Sequence, residues 1–588
     1  MFKKINWNFF KKSGVKSSDK LSLPEIVWFG FNYTVGVSFT AVFATLIYSE
    51  IGANLGTHMI WIFLIEGLIA GNCAWAFARL SRVHPGSNGA AYIYTRSTYG
   101  RFWGWMIALI QYSTLPVIIT AQIVSIIRIN FTNGDFLQAH WGVWTNLGLD
   151  LIGILAYVLI SGILFLGMKA FKRFVNISGY IKWVTTLLLI VGVIALFIMS
   201  GTSNYERIME NQNLTASSFS KAFTSCFFFF LGFETYSTIG KNVKNPQKNI
   251  SRSIVIVITL ATLFYVIVTI LMIGAMSEFF NYNPNLQIFM ILGLKLNAQW
   301  LGIIGALIML ICTISLKANS QIQNALYGGA ILEPLAIEGY ISPKFTQLNK
   351  DKMPYRAARL NLIISLTFSF VWLVIPDLVQ VISDSAKGIT KPSTVIDFST
   401  MTSEVSLIMI VIYICVMTIA LKLSWQKKLR HNKFEFLLWS GALIFLVWQL
   451  VMWFVNLVTG FITAVDNINA TDPTKNSALV LQVLASNIVQ LLYLVGVLIF
   501  AVVWYRLYYQ PKLNVRLVNK TQAKYDQEFL LQDDWPFVAK NMQNEIENYL
   551  ARNVLINGDK NNKNYEFAKK VRKELLLSEG EWKEKEDK

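Results

Sequence analysis

Runs of roughly 20 apolar residues recur along almost the whole chain, and each is long enough to cross a ~30 Å hydrocarbon core as a helix. Ile26 to Tyr48, Ile254 to Met276 and Phe434 to Val458 are examples. With 54% of its 588 residues apolar and 15% charged, the chain is too greasy for a soluble enzyme of this size and needs lipid around it. The first run lacks a small-residue cleavage site and is succeeded at once by further spans, so it is expected to stay in the mature protein rather than act as a secretory signal. Twelve spans are expected, beginning near residues 26, 59, 102, 148, 178, 220, 253, 300, 358, 401, 435 and 479.

The net charge of +18 would point to nucleic acid in a soluble protein, but here its distribution matters more than its sum. Every second loop is basic. Lys3 to Lys20 precede the first span; Arg79 to Arg101, Lys169 to Arg173, Lys241 to Arg252, Lys344 to Arg359 and Lys422 to Lys433 come after it. The intervening loops carry few cations, such as Arg128, Arg207, Lys295 and Lys475. The positive-inside rule then places both termini in the cytoplasm and requires an even number of spans. No nucleic-acid partner is expected.

The chain divides into three regions: a basic N-terminal tail (1–22), a twelve-span membrane domain (23–506) and a charged C-terminal tail (507–588). Within the last, Phe537 to Leu555 and Tyr565 to Leu577 have the pattern of short amphipathic helices. Cys73, Cys226, Cys312 and Cys415 lie far apart without ligand spacing and read as small packing residues, so no metal or cofactor is expected. Richness in Asn, Lys, Ile and Phe points to an AT-rich bacterial genome.

Two spans are interrupted. The first contains Asn32-Tyr-Thr-Val-Gly-Val-Ser, and the sixth contains Leu231-Gly-Phe-Glu. Helix-breaking backbone at membrane depth is tolerated only where it faces protein or a water-filled cavity. Broken spans in corresponding positions of two halves are a pointer to a binding site between inverted repeats, here spans 1 to 5 and 6 to 10, with two further helices added.

The sixth span reads Phe227-Phe-Phe-Phe-Leu-Gly-Phe-Glu-Thr, and the segment after it reads Val243-Lys-Asn-Pro-Gln-Lys-Asn-Ile. This resembles the amino acid/polyamine/organocation permeases, with F-x-G-[FV]-[ED] and then V-K-N-P-x-[RK]-N. Pro85-Gly-Ser-Asn-Gly-Ala-Ala-Tyr-Ile-Tyr and Glu338-Gly-Tyr-Ile-Ser-Pro-Lys-Phe resemble two more of the family's motifs, and agreement runs from about Leu23 to Arg506. The family's second glycine in span 1 is here Ser38, an acidic pair before V-K-N-P is Lys241-Asn242, and the Glu that closes span 2 is Arg79.

The resemblance implies the all-α leucine-transporter fold and amino acid transport across the plasma membrane. Breaking span 1 at Gly36 would expose N–H groups of Val37, Ser38 and Phe39 to a substrate carboxylate. Carbonyls near Tyr33, Thr34, Phe229 and Phe230 would accept from its ammonium group. Phe228, four residues before Gly232, matches an aromatic gate position in the family's arginine/agmatine exchangers. Lys182, about eight residues or ~12 Å into span 5, matches a lysine that takes the place of sodium in proton-coupled members. The competing reading is that it snorkels to the headgroups.

Glu234 lies at comparable depth, and a contact with Lys182 is expected. Glu66 and Lys317 are further intramembrane charges, Glu66 matching no motif and Lys317 placed near the inner surface. Partners are then an amino acid, protons and lipid. Alternatives are a polyamine or inorganic-cation permease, which would want more acidic residues, and a membrane enzyme or sensor. The four histidines form no H-E-x-x-H or Ser/His/Asp pattern, so no enzyme is expected.

Overall fold

The computed structural model describes residues 21–36, 55–83, 89–131, 135–210, 212–238, 243–275, 284–347, 354–386, 388, 398–426, 429, 431–468 and 478–510. Among these the backbone is almost wholly helical. In chain order the principal helices are α1 (Leu23–Thr34), α2 (His58–Val83), α3 (Ala91–Tyr99), α4 (Arg101–Ile126), α5 (Thr145–Leu164), α6 (Met168–Ser200), α7 (Ala216–Phe227) and α8 (Glu234–Thr238). They continue as α9 (Pro246–Ala275), α10 (Pro284–Lys295), α11 (Gln299–Ile337), α12 (Tyr355–Ser369), α13 (Ile375–Ala386), α14 (Phe398–Trp425), α15 (Lys433–Ile468) and α16 (Ala478–Trp504).

Ten spans among the described residues are long and apolar enough to cross a bilayer, making this a multi-pass membrane protein. The spans expected near residues 26 and 220 are not among the ten, because α1 and α7 stop after 12 residues each. Helix α6 begins ten residues before the expected start near 178. Gly167, at φ 105°, precedes its first turn, and the basic stretch Lys169 to Arg173 continues the helix beyond the apolar run. The expected tails lie outside the described residues except for 21–22 and 507–510.

Lipid replaces water as the solvent, and the side chains sort accordingly. On α6 Val184, Leu187, Val191 and Ile198 are exposed, in a stripe at helical spacing, while Lys182, Thr186, Leu189 and Val193 on the opposite face are buried. Helix α4, buried almost throughout, is the central strut and packs against α3, α11, α12 and α14. Helix α2 lies along α9, and the 39-residue α11 threads between α6, α10, α12 and α4.

Charged ties close both ends of α4, on the order of 40 Å apart at 1.5 Å per residue. At its start, buried Arg96 of α3 pairs with Glu338 beyond α11. The Tyr340 ring stacks on Tyr509 at 4.0 Å, and the Trp504 indole N–H donates to the Tyr340 carbonyl at 2.8 Å. Beyond its other end, Arg128 donates to Asp150 of α5 at 2.6 Å and to Asp377 of α13 at 3.0 Å, all three buried. Arg79, at the end of α2, pairs with Glu435 of α15.

Arg128→Met leaves two buried carboxylates facing one another without their cation. A loss of ~3–5 kcal/mol is expected, read as a lower unfolding midpoint in detergent. Converting Asp150 and Asp377 to Asn in the same variant should recover most of it.

Candidate functional site

The first break begins as a well-capped helix. Ser22 donates through its N–H and its hydroxyl to Glu25, each at 2.7 Å, and Pro24 sits in the first turn where no N–H partner is needed. Eleven residues on, the backbone leaves the helix: Val35 is extended at φ −96°, ψ 133°. The Lys182 ammonium donates to the Asn32 carbonyl at 2.8 Å and to the Val35 carbonyl, and the Trp183 indole N–H donates to the Asn32 side chain at 2.8 Å. Stacking of Phe31 on Trp183, at 4.6 Å and 3°, lays α6 against the same turn. Lys182 is fully buried near the middle of α6, so its head group binds backbone rather than reaching the headgroups.

The second break comes after α7. Three phenylalanines, Phe228–Phe230, tighten into a 3₁₀ turn, Leu231 is extended, and Gly232 takes φ 115° before α8 starts at Glu234. A side chain at Gly232 is excluded twice. Its φ lies in the left-handed region, and a Cβ would stand 2.4 Å from the Tyr33 ring. The Gly232 N–H donates to both Glu234 carboxylate oxygens, at 3.0 and 3.2 Å, and the Tyr413 hydroxyl of α14 donates to one of them at 3.0 Å. The Val243-Lys244 portion of the V-K-N-P motif returns to the start of α1, where the Lys244 N–H donates to the Leu21 carbonyl at 2.8 Å.

Tyr265 of α9 joins the two breaks. Its hydroxyl is shared between the carbonyls of Thr34, at 2.9 Å, and Phe229, at 3.2 Å. Two of the carbonyls expected to be free are therefore already engaged, each keeping a second lone pair. Glu66 of α2 is buried beside Tyr265 and Cys226, with neither carboxylate oxygen hydrogen-bonded among the described residues.

Both breaks open onto one cavity. Tyr33, Thr34, Val35 and Gly36 form one wall, and Phe228, Phe229, Leu231, Gly232 and Glu234 face them. Helix α4 adds Thr114, Ile118 and Gln122; α11 adds Leu316, Lys317, Ser320 and Tyr327; α14 adds Phe398 and Met409. A polar chain fixes three of these helices to one another. The Tyr33 hydroxyl donates to Asn324 at 2.5 Å, and the Asn324 amide donates to Gln122 at 3.2 Å. A second cavity, between α1, α6, α8 and α11, is lined by Phe29, Thr235 and Gln323 and shares Tyr327 with the first.

Of the site residues expected from sequence, Tyr33, Thr34, Gly36, Phe228, Phe229, Gly232 and Glu234 thus meet at one place. Val37, Ser38 and Phe39 lie outside the described residues. The Phe230 ring is not on the cavity wall and packs edge-on against Tyr265 at 5.2 Å, whereas the role expected of Phe230 belongs to its carbonyl. No ion pair joins Lys182 to Glu234: the lysine is held by α1 and the carboxylate by Gly232 and Tyr413. Lys317, expected near the membrane surface, lies midway along α11 on the cavity wall. Sequence reasoning missed Tyr265, Gln122, Ser320 and Asn324. For the last three, a polar side chain within an apolar helix was the available signal.

Gly232→Ala is expected to cost about 1–3 kcal/mol and displace Tyr33 from Asn324. A lower unfolding midpoint in detergent checks this, and Tyr33→Ala in the same chain should restore the steric part of the loss but not the backbone part.

The amino acid permease family model matches residues 29–504. The chain is 24% identical over 364 residues to the vacuolar cationic amino acid transporter 2 of Arabidopsis thaliana, covering 60% of this chain and 55% of that protein. It is 26% identical to the methylthioribose transporter of Bacillus subtilis, over 44% of this chain and 55% of the relative. It is 25% identical to the branched-chain amino acid permease BcaP of Lactococcus lactis, over 39% and 51%. The chain spans about half the length of the curated relatives it matches. A family match that runs from α1 to the end of α16 and takes in both helix breaks places this chain in the amino acid permease family.

Proposed function

We propose that this protein is a secondary transporter that carries an amino acid across the plasma membrane by alternating access. The observation that carries the reading is that the breaks after α1 and α7, far apart in sequence, line a single cavity within the helix bundle. In this reading α1 with its continuation and α7 with α8 are two further spans. They bring the total to twelve in a leucine-transporter arrangement of two inverted five-helix repeats plus two helices. The membrane domain occupies 23–506, flanked by cytoplasmic tails at 1–22 and 507–588, an orientation supported by the basic loops.

The substrate's α-carboxylate would bind at Gly36 and the N–H groups of Val37, Ser38 and Phe39. Its ammonium would bind the remaining lone pairs near Tyr33, Thr34 and Phe229, with Glu234 on the facing wall and Phe228 closing over it. Two of the three relatives are named for amino acids of different side chain. A site that reads the shared α-groups accommodates both. Lys182 would couple transport to protons. Its ammonium ties the Asn32 and Val35 carbonyls together. Losing the proton weakens that tie and frees α1 to move against α6.

Uptake into proteoliposomes, for each amino acid, with and without a pH gradient and internal counter-substrate, tests the reading. Flux stimulated by the gradient or by counter-substrate is expected; no flux of any amino acid by folded protein overturns it. Lys182→Ala should make uptake the same with and without the gradient. Gly36→Val should abolish substrate binding while the protein still inserts, because the valine side chain would push aside the Leu316 methyl 2.2 Å from its Cβ and occupy the wall where the carboxylate binds.

A further inference from the structure

Lys317 occupies an unusual position for a lysine. It lies midway along α11, is only 6% exposed, and forms part of the wall of the cavity between the two breaks. Its ammonium stands over the Phe398 ring at 4.8 Å, and among the described residues no carboxylate, carbonyl or hydroxyl is within hydrogen-bond reach of it. The ring face favours the charged form but supplies no hydrogen-bond acceptor. An ammonium left this way in a low-dielectric site is costly, and an anion arriving in the cavity removes that cost.

Lys317 and Glu234 are the charged residues on the cavity wall. Glu234 is held by the Gly232 N–H and the Tyr413 hydroxyl, and Lys182 by two carbonyls of the first break. Two further buried carboxylates, Glu66 of α2 and Glu404 of α14, are not on the cavity wall, so among the described residues Lys317 is the charged wall residue without a hydrogen-bond partner. On the cavity face of α11, Lys317 shares a helical stripe with Ser320 and Tyr327, so its head group is presented to whatever fills the space.

We propose that Lys317 determines specificity by binding the side-chain carboxylate of an acidic amino acid, the substrate class this cavity is built to take. The inference rests on the permease reading, in which the Gly36 break takes the α-carboxylate and the carbonyls with Glu234 take the α-ammonium. One cation then remains, and a dicarboxylic amino acid has one anionic group left to meet it. A neutral side chain would leave Lys317 unpaired, and a cationic one would be repelled.

The test is the ranking of glutamate, aspartate, leucine and lysine in proteoliposome uptake by the full chain. Wild type is expected to take up glutamate or aspartate with KM at least about tenfold below those for leucine and lysine, and Lys317→Arg to keep that order. Lys317→Ala should raise KM for the acidic substrate roughly 10–100-fold more than KM for leucine, the factor for one lost buried charged hydrogen bond. Lys317→Glu should move the preference to lysine.

Preferred uptake of leucine or lysine by wild type overturns the proposal and leaves the permease reading standing; this ranking decides even if the variants do not fold. An equal loss for every amino acid in Lys317→Ala assigns the lysine to the α-carboxylate and overturns it too, as does an acidic preference that survives Lys317→Ala. Absence of any flux by folded wild-type protein overturns both readings.

Discussion

Backbone polar groups released inside a membrane have no water to turn to, and the centre of this protein is organised around supplying them with partners. Where α1 stops, the Lys182 ammonium and the Tyr265 hydroxyl take the carbonyls of Asn32, Val35 and Thr34. Where α7 stops, Tyr265 takes the Phe229 carbonyl and Glu234 takes the Gly232 N–H. Each partner comes from a different helix or from just beyond the break, so the two discontinuities hold α1, α6, α7 and α9 together.

The rest of the bundle keeps that centre in register. Helix α4 runs past the cavity with Thr114, Ile118 and Gln122 on its wall, and buried ion pairs clamp the chain at both of its ends. Such pairs gain little over apolar packing in net stability, but an unpaired member is expensive. They therefore favour one arrangement of the helices over slipped alternatives. Between the ends, the Tyr33–Asn324–Gln122 chain ties α1 to α11 and α4 without an ion pair, a weaker link placed at the cavity itself. The contrast between charged ends and a softer middle fits a molecule whose proposed work is to move α1 against its neighbours.

A permease site that reads the groups common to all amino acids must draw its selectivity from the side chains around them. In the proposed site the walls contributed by α11 and α14 would supply that difference, and Lys317 above Phe398 is the charged residue on them. Relatives at 24–26% identity are named for cationic amino acids, branched-chain amino acids and methylthioribose.

The sequence by itself determined the membrane class, the neighbourhood of ten spans and the points at which α1 and α7 end. Hydrophobic runs of bilayer length and glycines beside polar residues are local properties, readable without knowing what packs against what. Family motifs likewise pointed to Gly36 and Gly232. What only the tertiary structure decided was which side chain reaches which break. Lys182 and Glu234, at matching expected depths, bind different partners because each helix face is set by packing. Phe230 turns away from its neighbour Phe228 because a 3₁₀ turn separates them by about a third of a revolution per residue. Lys317 belongs to the cavity because α11 is 39 residues long, which puts at its middle a residue that span counting had placed near its end. Tyr265 had no local signal at all: a tyrosine in an apolar span becomes the link between two breaks only when α9 lies against both.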